Sequence, residues 1–176
     1  MKKKTNIKWL IKIVLISIAV TGIFTFATTE ILGRAGYVFA FITLAIFIII
    51  GIIFDVIGVA VTAATEAPFH SMAAHRERGA AESLRLIKSA DKVSSLCNDV
   101  IGDVSGIVSG STAVMVATRL MQGLTLDNIL IPLAISGAVT GLTIGGKAAG
   151  KALAINNSTA IVLRVGKLLH ILRFKR

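Results

Sequence analysis

Four long apolar runs, separated by short polar or basic segments, dominate the hydropathy pattern of this chain. Each run predicts a membrane-spanning helix, because a hydrocarbon core of about 30 Å needs about 20 apolar residues of α-helix. The second run is longer than the bilayer requires, so it is expected to tilt or to continue beyond the membrane. The predicted spans are residues 9–28, 37–65, 96–118 and 129–146, within a single transmembrane domain of residues 1–176.

Two further segments are predicted to be helical without crossing the membrane. Residues 71–92 are charged and alanine-rich, which favours a short helical connection. In residues 158–173, apolar side chains recur at helical spacing with basic residues off that stripe. Such a helix either lies in the interface against anionic lipid or packs as a juxtamembrane helix against other protein. The predicted fold class is an all-α integral membrane protein with four transmembrane helices, this connection and a C-terminal amphipathic helix.

The composition excludes several soluble classes of protein. Residues of the AVILMFWYC class make up 55% of the chain and charged residues 16%, whereas soluble proteins are about one quarter charged. The net charge of +10 would suit a nucleic-acid partner, but the charges cluster beside apolar runs and no nucleic-acid-binding motif is present. The single cysteine excludes a disulfide framework and a cysteine-based zinc site.

The basic residues predict the orientation in the membrane. With both termini in the cytoplasm, every lysine and every arginine except Arg34 and Arg119 lies on the cytoplasmic side. This distribution follows the positive-inside rule. We therefore expect a multi-pass protein of the plasma or inner membrane, with the 71–92 connection in the cytoplasm.

Four acidic residues fall inside or at the edge of apolar segments: Asp55, Glu66, Asp99 and Asp103. A charge at mid-bilayer costs at least a few kcal/mol, and no lysine or arginine lies at a comparable depth. Each carboxyl must therefore be protonated, reach water or meet a cation. Asp55 and Glu66 are eleven residues apart with Thr62 between them, which predicts one helix face. Asp99 and Asp103, four residues apart, form the stronger candidate pair.

Glycines at four-residue spacing predict two ridges along which helices approach closely. Close backbones expose carbonyl oxygens, which hard cations also use as ligands. Such ridges more often reflect packing alone than a functional site, and Glu66 can equally be a solvated residue at the interface beside His70. The ridges are Gly102, Gly106 and Gly110 in the third span, and Gly137, Gly141 and Gly145 in the fourth.

The order of these features resembles the transmembrane domain of the CNNM/CorC family, which is associated with magnesium transport. The correspondence runs from about Ile49 to Arg173. Ala64-Thr65-Glu66-Ala67 is similar to a Ser-Glu-x-Ala segment of the family, and Ala73 to Lys92 is similar to its basic helical connection. Leu96-Cys97 followed by Ile101-Gly102-Asp103 is similar to the family's Leu-Cys and Leu-Gly-Asn elements. The last span and basic helix of the family correspond to Ile129 to Arg173.

The resemblance implies a homodimer that binds a dehydrated divalent cation through hydroxyl, amide and backbone oxygens. Thr65 takes a serine position of the family, Gly102 its glycine position and Asp103 its asparagine position. The family's Gly-Glu-x-x-Pro-Lys/Gln element corresponds to Gly141 to Lys147, where Glu and Pro are absent. The chain also has an additional N-terminal span and no room for the family's CBS domains, so regulation by nucleotide is not expected.

The sequence thus predicts a protein that binds or transports a divalent cation, Mg²⁺ in the first instance, in contact with membrane lipid. The principal alternative is a non-transporting accessory or structural membrane protein assembled through the glycine ridges, and a glycine-ridge pore is a third. An enzyme is not expected, because no nucleophile has an attendant base. The predicted metal-site residues are Asp103, Asp99, Gly102, Glu66, Thr65, Thr62 and Asp55.

Overall fold

The computed structural model describes residues 7–34, 37–124 and 130–174. In these ranges the chain is helical throughout, with short breaks and no strand. The elements in chain order are α1 (Ile7–Arg34), α2 (Tyr37–Ala63), α3 (Glu66–Ala74), α4 (Ala80–Lys88), α5 (Ala90–Ser94), a π-helical segment (Ser95–Gly102), α6 (Asp103–Leu124), α7 (Leu130–Asn156) and α8 (Ser158–Phe174).

In the described ranges, four helical stretches are long and apolar enough to cross a membrane: Trp9–Glu30, Val38–Ala63, Ala90–Met121 and Leu130–Asn156. These confirm the four predicted spans as helices, apart from residue 129 at the start of the fourth, which lies outside the described residues. Their length and composition fit a membrane protein. The class of an all-helical protein with four such helices is therefore established by the fold.

The helix ends differ from the predicted ends for local reasons. α2 ends at Ala63, two residues early, because Pro68 lacks the N–H that a continuous helix would need and its ring would meet the carbonyl of Ala64. Pro68 is tolerated in the first turn of α3, where no such bond is required. α7 continues ten residues beyond 146 to Asn156, because its alanine-rich end favours helix even though it is less apolar.

Contacts divide the chain into two compact units that share the long helices. Unit 1 comprises Met1–Gly51 and Val100–Gly145, and unit 2 comprises Ile52–Asp99 and Gly146–Arg176. The prediction of a single domain stays a prediction.

Unit 1 is built around one face of α6, which packs against α1. That face carries small buried residues, among them Ser105, Ser109 and Thr112. The Ser109 and Thr112 hydroxyls donate to the backbone oxygens of Gly106 and Val108 at 3.0 and 2.7 Å. These bonds satisfy the hydroxyls within their own helix, so burying them carries little cost.

Unit 2 has a compact apolar core beneath α3, α4 and α8. Phe69 and Val162 are fully buried there, together with the end of α2 at Ala60 and Val61 and the end of α7 at Ala154. α3 packs on α4, and α4 packs on α8. The predicted helical connection is thus three short helices, and α8 begins at the predicted residue 158.

The crossing of α4 and α8 depends on two glycines. Gly79 has a φ of +84° and caps the N-terminus of α4. A Cβ added there would lie 2.5 Å from the Lys167 backbone nitrogen, and one added at Gly166 would lie 2.5 Å from the Gly79 oxygen. The Ser83 hydroxyl joins the helices further by donating to the oxygens of Gly79 and Val162 at 2.9 and 3.1 Å.

Candidate functional site

Two buried side-chain oxygens in the described residues have no hydrogen-bond partner: Oδ2 of Asp55 and Oδ1 of Asn98. Both belong to unit 2. Asp55 is 4% exposed and lies on α2, within a candidate membrane span. A buried polar group without a partner costs about 1–3 kcal/mol, and in native structures such groups are few enough that each calls for a specific reason.

The Asn98 side chain lies against α2 at Gly58, which has no side chain of its own. Gly58 follows Asp55 by three residues, which places the two on one helix face about one turn apart. A Cβ added at Gly58 would collide with Oδ1 of Asn98 and would lie 2.8 Å from its Cγ. Gly58 therefore makes room for the amide, and the Asn98 oxygen is held on the same face of α2 as the Asp55 carboxylate.

The nitrogen of the Asn98 amide is held by the last residue of α5. Nδ2 of Asn98 donates to Oγ of Ser94 at 3.2 Å. This bond orients the amide, so that Oδ1 is the group presented to Gly58. The position of Asn98 is thus determined from both sides, by a donor bond on one and a missing Cβ on the other.

A π-helical segment, Ser95–Gly102, carries Asn98. A π-helix accommodates extra residues in its turns and changes which side chains face a neighbouring helix, and such segments occur frequently at functional sites. In the same segment the Ser95 hydroxyl donates to Oδ2 of Asp99 at 2.6 Å. Ser95 thereby engages Asp99, whereas Asn98 turns to α2.

The chemistry of the two orphaned oxygens is that of hard ligands. A carboxylate and an amide oxygen are both acceptors, and they are ligands that Mg²⁺ and Ca²⁺ take in proteins. Mg²⁺ in particular is often held by one or two carboxylates while it keeps several waters. In the described ranges no group of three or more His, Cys, Asp or Glu side chains is gathered in one place. The orphaned pair comprises one carboxylate oxygen and one amide oxygen.

Two of the predicted site residues at the end of α2 and the start of α3 are exposed. Thr62 is exposed, and its hydroxyl donates to the Val59 oxygen at 2.8 Å. Glu66 is exposed as the first residue of α3 and lies 3.3 Å from the His70 ring. Because α2 ends at Ala63, Glu66 does not share a helix face with Asp55, contrary to the expected three-turn register.

The remaining predicted site residues differ in their solvent exposure. Thr65 precedes α3 with an exposed side chain that makes no capping bond. Asp99 and Asp103 are exposed, and Gly102 is buried at the end of the π-helical segment. The roles of all these residues in a metal site stay predictions.

The glycine ridges are largely open in the single chain. A Cβ added at Gly106, Gly110, Gly137, Gly141 or Gly145 would meet no described atom within 4 Å. The close approaches occur at other glycines, chiefly Gly58, Gly79, Gly150 and Gly166. At these five positions the ridges bring no described helices together, whereas the backbone oxygen of the sixth ridge residue, Gly102, would lie 3.6 Å from a Cβ added at Gly51 on α2.

Sequence reasoning missed Asn98. Its neutral amide carries no charge that would be conspicuous in an apolar segment. The spacing of Asp55 to Gly58 and of Ser94 to Asn98 was visible, but each is an ordinary helical spacing. Only the π-helical segment and the contact with Gly58 connect the two pairs.

Comparison with protein-family models, with curated proteins and with solved structures finds no match for this chain. The class is thus defined by the chain's own fold: an all-helical protein with four helices suited to a membrane.

Proposed function

We propose that this protein is a multi-pass membrane protein that binds a divalent cation of the Mg²⁺ type at Asp55 and Asn98 and carries it across the bilayer. The observation that supports the proposal is the pair of buried oxygens without hydrogen-bond partners on one face of α2. A bound cation would compensate both oxygens at once, and it would neutralise a carboxylate in a segment where isolated charge is costly.

The roles of the site residues follow from their chemistry. Asp55 supplies the negative charge, Asn98 a neutral oxygen of fixed direction, and Gly58 the space for that oxygen. Waters complete the coordination, since Mg²⁺ dehydrates reluctantly. On sequence grounds alone, Asp103, Asp99, Gly102, Glu66, Thr65 and Thr62 remain proposed ligands along the path of the ion. The proposal includes a homodimer with cytoplasmic termini in the plasma or inner membrane, as the resemblance and the basic residues imply.

A metal titration of the purified full chain in detergent tests the proposal. Mg²⁺, Mn²⁺, Co²⁺ and Ca²⁺ are each added at constant ionic strength, with NaCl as the reference. Binding to the folded state alone adds about 2.7 kcal/mol at 100 times Kd, which corresponds to roughly 5–10 °C in Tm for a chain of this size. Absence of a saturable shift with every divalent ion contradicts cation binding.

Transport is measured separately in proteoliposomes that enclose a Mg²⁺-sensitive dye. We expect the protein to accelerate Mg²⁺ entry over that of empty liposomes without leakage of the dye. A metal-dependent Tm without flux would contradict transport while keeping the binding site.

The substitution Gly58→Ala tests the geometry of the site. The added methyl group would displace the Asn98 amide, which is the end of a side chain and can rotate away without moving backbone. We expect the apparent Mg²⁺ affinity in the Tm titration to fall about tenfold, equal to about 1.4 kcal/mol, while Tm without metal stays within about 2 °C of the wild type.

The matched control for Gly58→Ala is Gly22→Ala, because a Cβ at Gly22 meets no described atom within 4 Å. The control should keep the wild-type affinity. Equal Mg²⁺ affinity in the two variants would show that the position of Asn98 does not matter for binding.

The second candidate is the accessory or structural protein, and the open glycine ridges favour it. Small residues with free space beside them allow a helix of another copy to approach closely. This function predicts an oligomer that Gly141→Leu dissociates, together with a Tm that no divalent ion changes.

A further inference from the structure

A groove of about 440 Å³ lies between α4 and α8, outside the four candidate spans. Its polar lining consists of Arg85 and Ser89 on one side and Arg173 on the other, with Glu82 between the helices. Its apolar lining consists of Leu86, Leu169 and Leu172. Two guanidinium groups thus flank a leucine-lined wall.

The apolar stripe of α8 is divided between protein and surface. Val162 and Gly166, in the first half, are buried against the rest of unit 2. In the second half Leu168, Ile171 and Leu172 are each about 60% exposed. The first half of the helix therefore packs within unit 2, and its second half presents leucine and isoleucine outward beside basic residues.

The length of α7 places the start of α8 relative to the membrane. α7 has 27 residues, so it is about 40 Å long, close to the thickness of a bilayer with its headgroups, about 40–45 Å. Only Asn157 separates the end of α7 from the start of α8. If α7 spans the membrane, α8 begins at headgroup level.

The acidic residue of the groove, Glu82, has a partner on α8. Nδ1 of His170 lies 3.2 Å from Oε1 of Glu82. Burial alone would raise the pKa of Glu82, but the hydrogen bond with His170 and the positive charges of His170 and Arg173 together hold it below its ordinary value of 4.5. Glu82 is thus already paired, and Arg85 adds positive charge at the opposite wall.

We propose that the α4–α8 groove binds an anionic phospholipid, with Arg85 and Arg173 on the phosphate and the leucine wall against the acyl chains. A guanidinium matches the geometry of phosphate oxygens through paired N–H donors. An exposed apolar helix beside basic residues binds where buried apolar area and attraction to anionic lipid act together. The lipid, not a free phosphate, is the occupant, because three leucine side chains line the wall next to the arginines.

The test titrates the full chain in dodecylmaltoside micelles with dioleoylphosphatidylglycerol and follows Tm. The comparison arms are dioleoylphosphatidylcholine, which has the same chains without net charge, and inorganic phosphate. We expect a saturable rise in Tm with phosphatidylglycerol alone. An equal rise with phosphatidylcholine, or the same rise with inorganic phosphate, would overturn the proposal.

The double variant Arg85→Gln/Arg173→Gln tests whether the lipid binds in this groove. Both side chains are exposed, so the fold is expected to persist, and the apparent affinity for phosphatidylglycerol should fall at least tenfold. The control Arg78→Gln/Lys88→Gln removes the same charge from exposed residues that do not line the groove. Equal losses in the two double variants would overturn the assignment to this groove.

Leu172→Ser provides an independent variant that keeps every charge. It should weaken the response to dioleoylphosphatidylglycerol by several-fold, because it removes part of the wall that contacts the acyl chains. A wild-type response in Leu172→Ser would contradict the role assigned to this wall.

Discussion

Substituting Asp55→Asn is expected to abolish the Mg²⁺-dependent rise in Tm and the Mg²⁺ flux. The variant keeps the size of a side chain that is 4% exposed and replaces its carboxylate by a neutral amide. Mg²⁺ depends on carboxylate ligands, and Asp55 is the carboxylate of the orphaned pair. We expect affinity to fall roughly 100-fold or more, equal to about 2.7 kcal/mol, and the metal-induced shift to drop below about 1 °C.

The Tm of Asp55→Asn without metal separates a ligand from a structural residue. An ion pair or hydrogen bond essential to the fold would lower stability by several kcal/mol when broken. Oδ2 of Asp55 has no such partner among the described residues, so the metal-free Tm should stay the same or rise. The control Asp91→Asn changes an exposed carboxylate on α5 and should keep the full response. A wild-type metal response in Asp55→Asn would remove this residue from the site.

The largest loss of stability is expected from Gly79→Ala. The φ of Gly79 is +84°, a region that costs an L-residue about 1–2 kcal/mol. The added Cβ would also lie 2.5 Å from the Lys167 nitrogen and 2.8 Å from the Gly166 carbonyl carbon. These are backbone atoms, so α4 and α8 must move apart, at a further cost of about 1–3 kcal/mol. A total of about 2–5 kcal/mol corresponds to roughly 4–20 °C in Tm.

A graded series of variants checks this interpretation. Gly166→Ala places a Cβ on α8 at the same helix crossing, but Gly166 has no positive φ. Its loss of stability should therefore be smaller than that of Gly79→Ala. Gly22→Ala has open space and should be neutral or gain about 0.5–1 kcal/mol from the helix preference of alanine. If Gly79→Ala melted within about 1 °C of the wild type, α4 and α8 would not cross as described.

The glycines show how far sequence reasoning reaches in this protein. Four-residue spacing singled out residues such as Gly106 and Gly141, which have no described neighbour within 4 Å of an added Cβ. Close contacts occur instead at Gly58, Gly79 and Gly166, which belong to no regular ridge, and at Gly146 and Gly150, which are four residues apart but lie outside the two predicted ridges. Spacing along one helix shows which residues share a face, but it carries no information on what faces them.

The amino-acid sequence by itself determined the helical class, the four apolar spans and the helical segments around them, because hydropathy and helix propensity act over neighbouring residues. It also identified Asp55 as a carboxyl that needs compensation. The break that takes Glu66 off the face of Asp55 also has a local cause, Pro68. Only the tertiary structure decided that Asn98 lies against Gly58 and that α4 crosses α8 at Gly79. Both contacts depend on atoms distant in sequence, whose approach is determined by packing and by the π-helical segment.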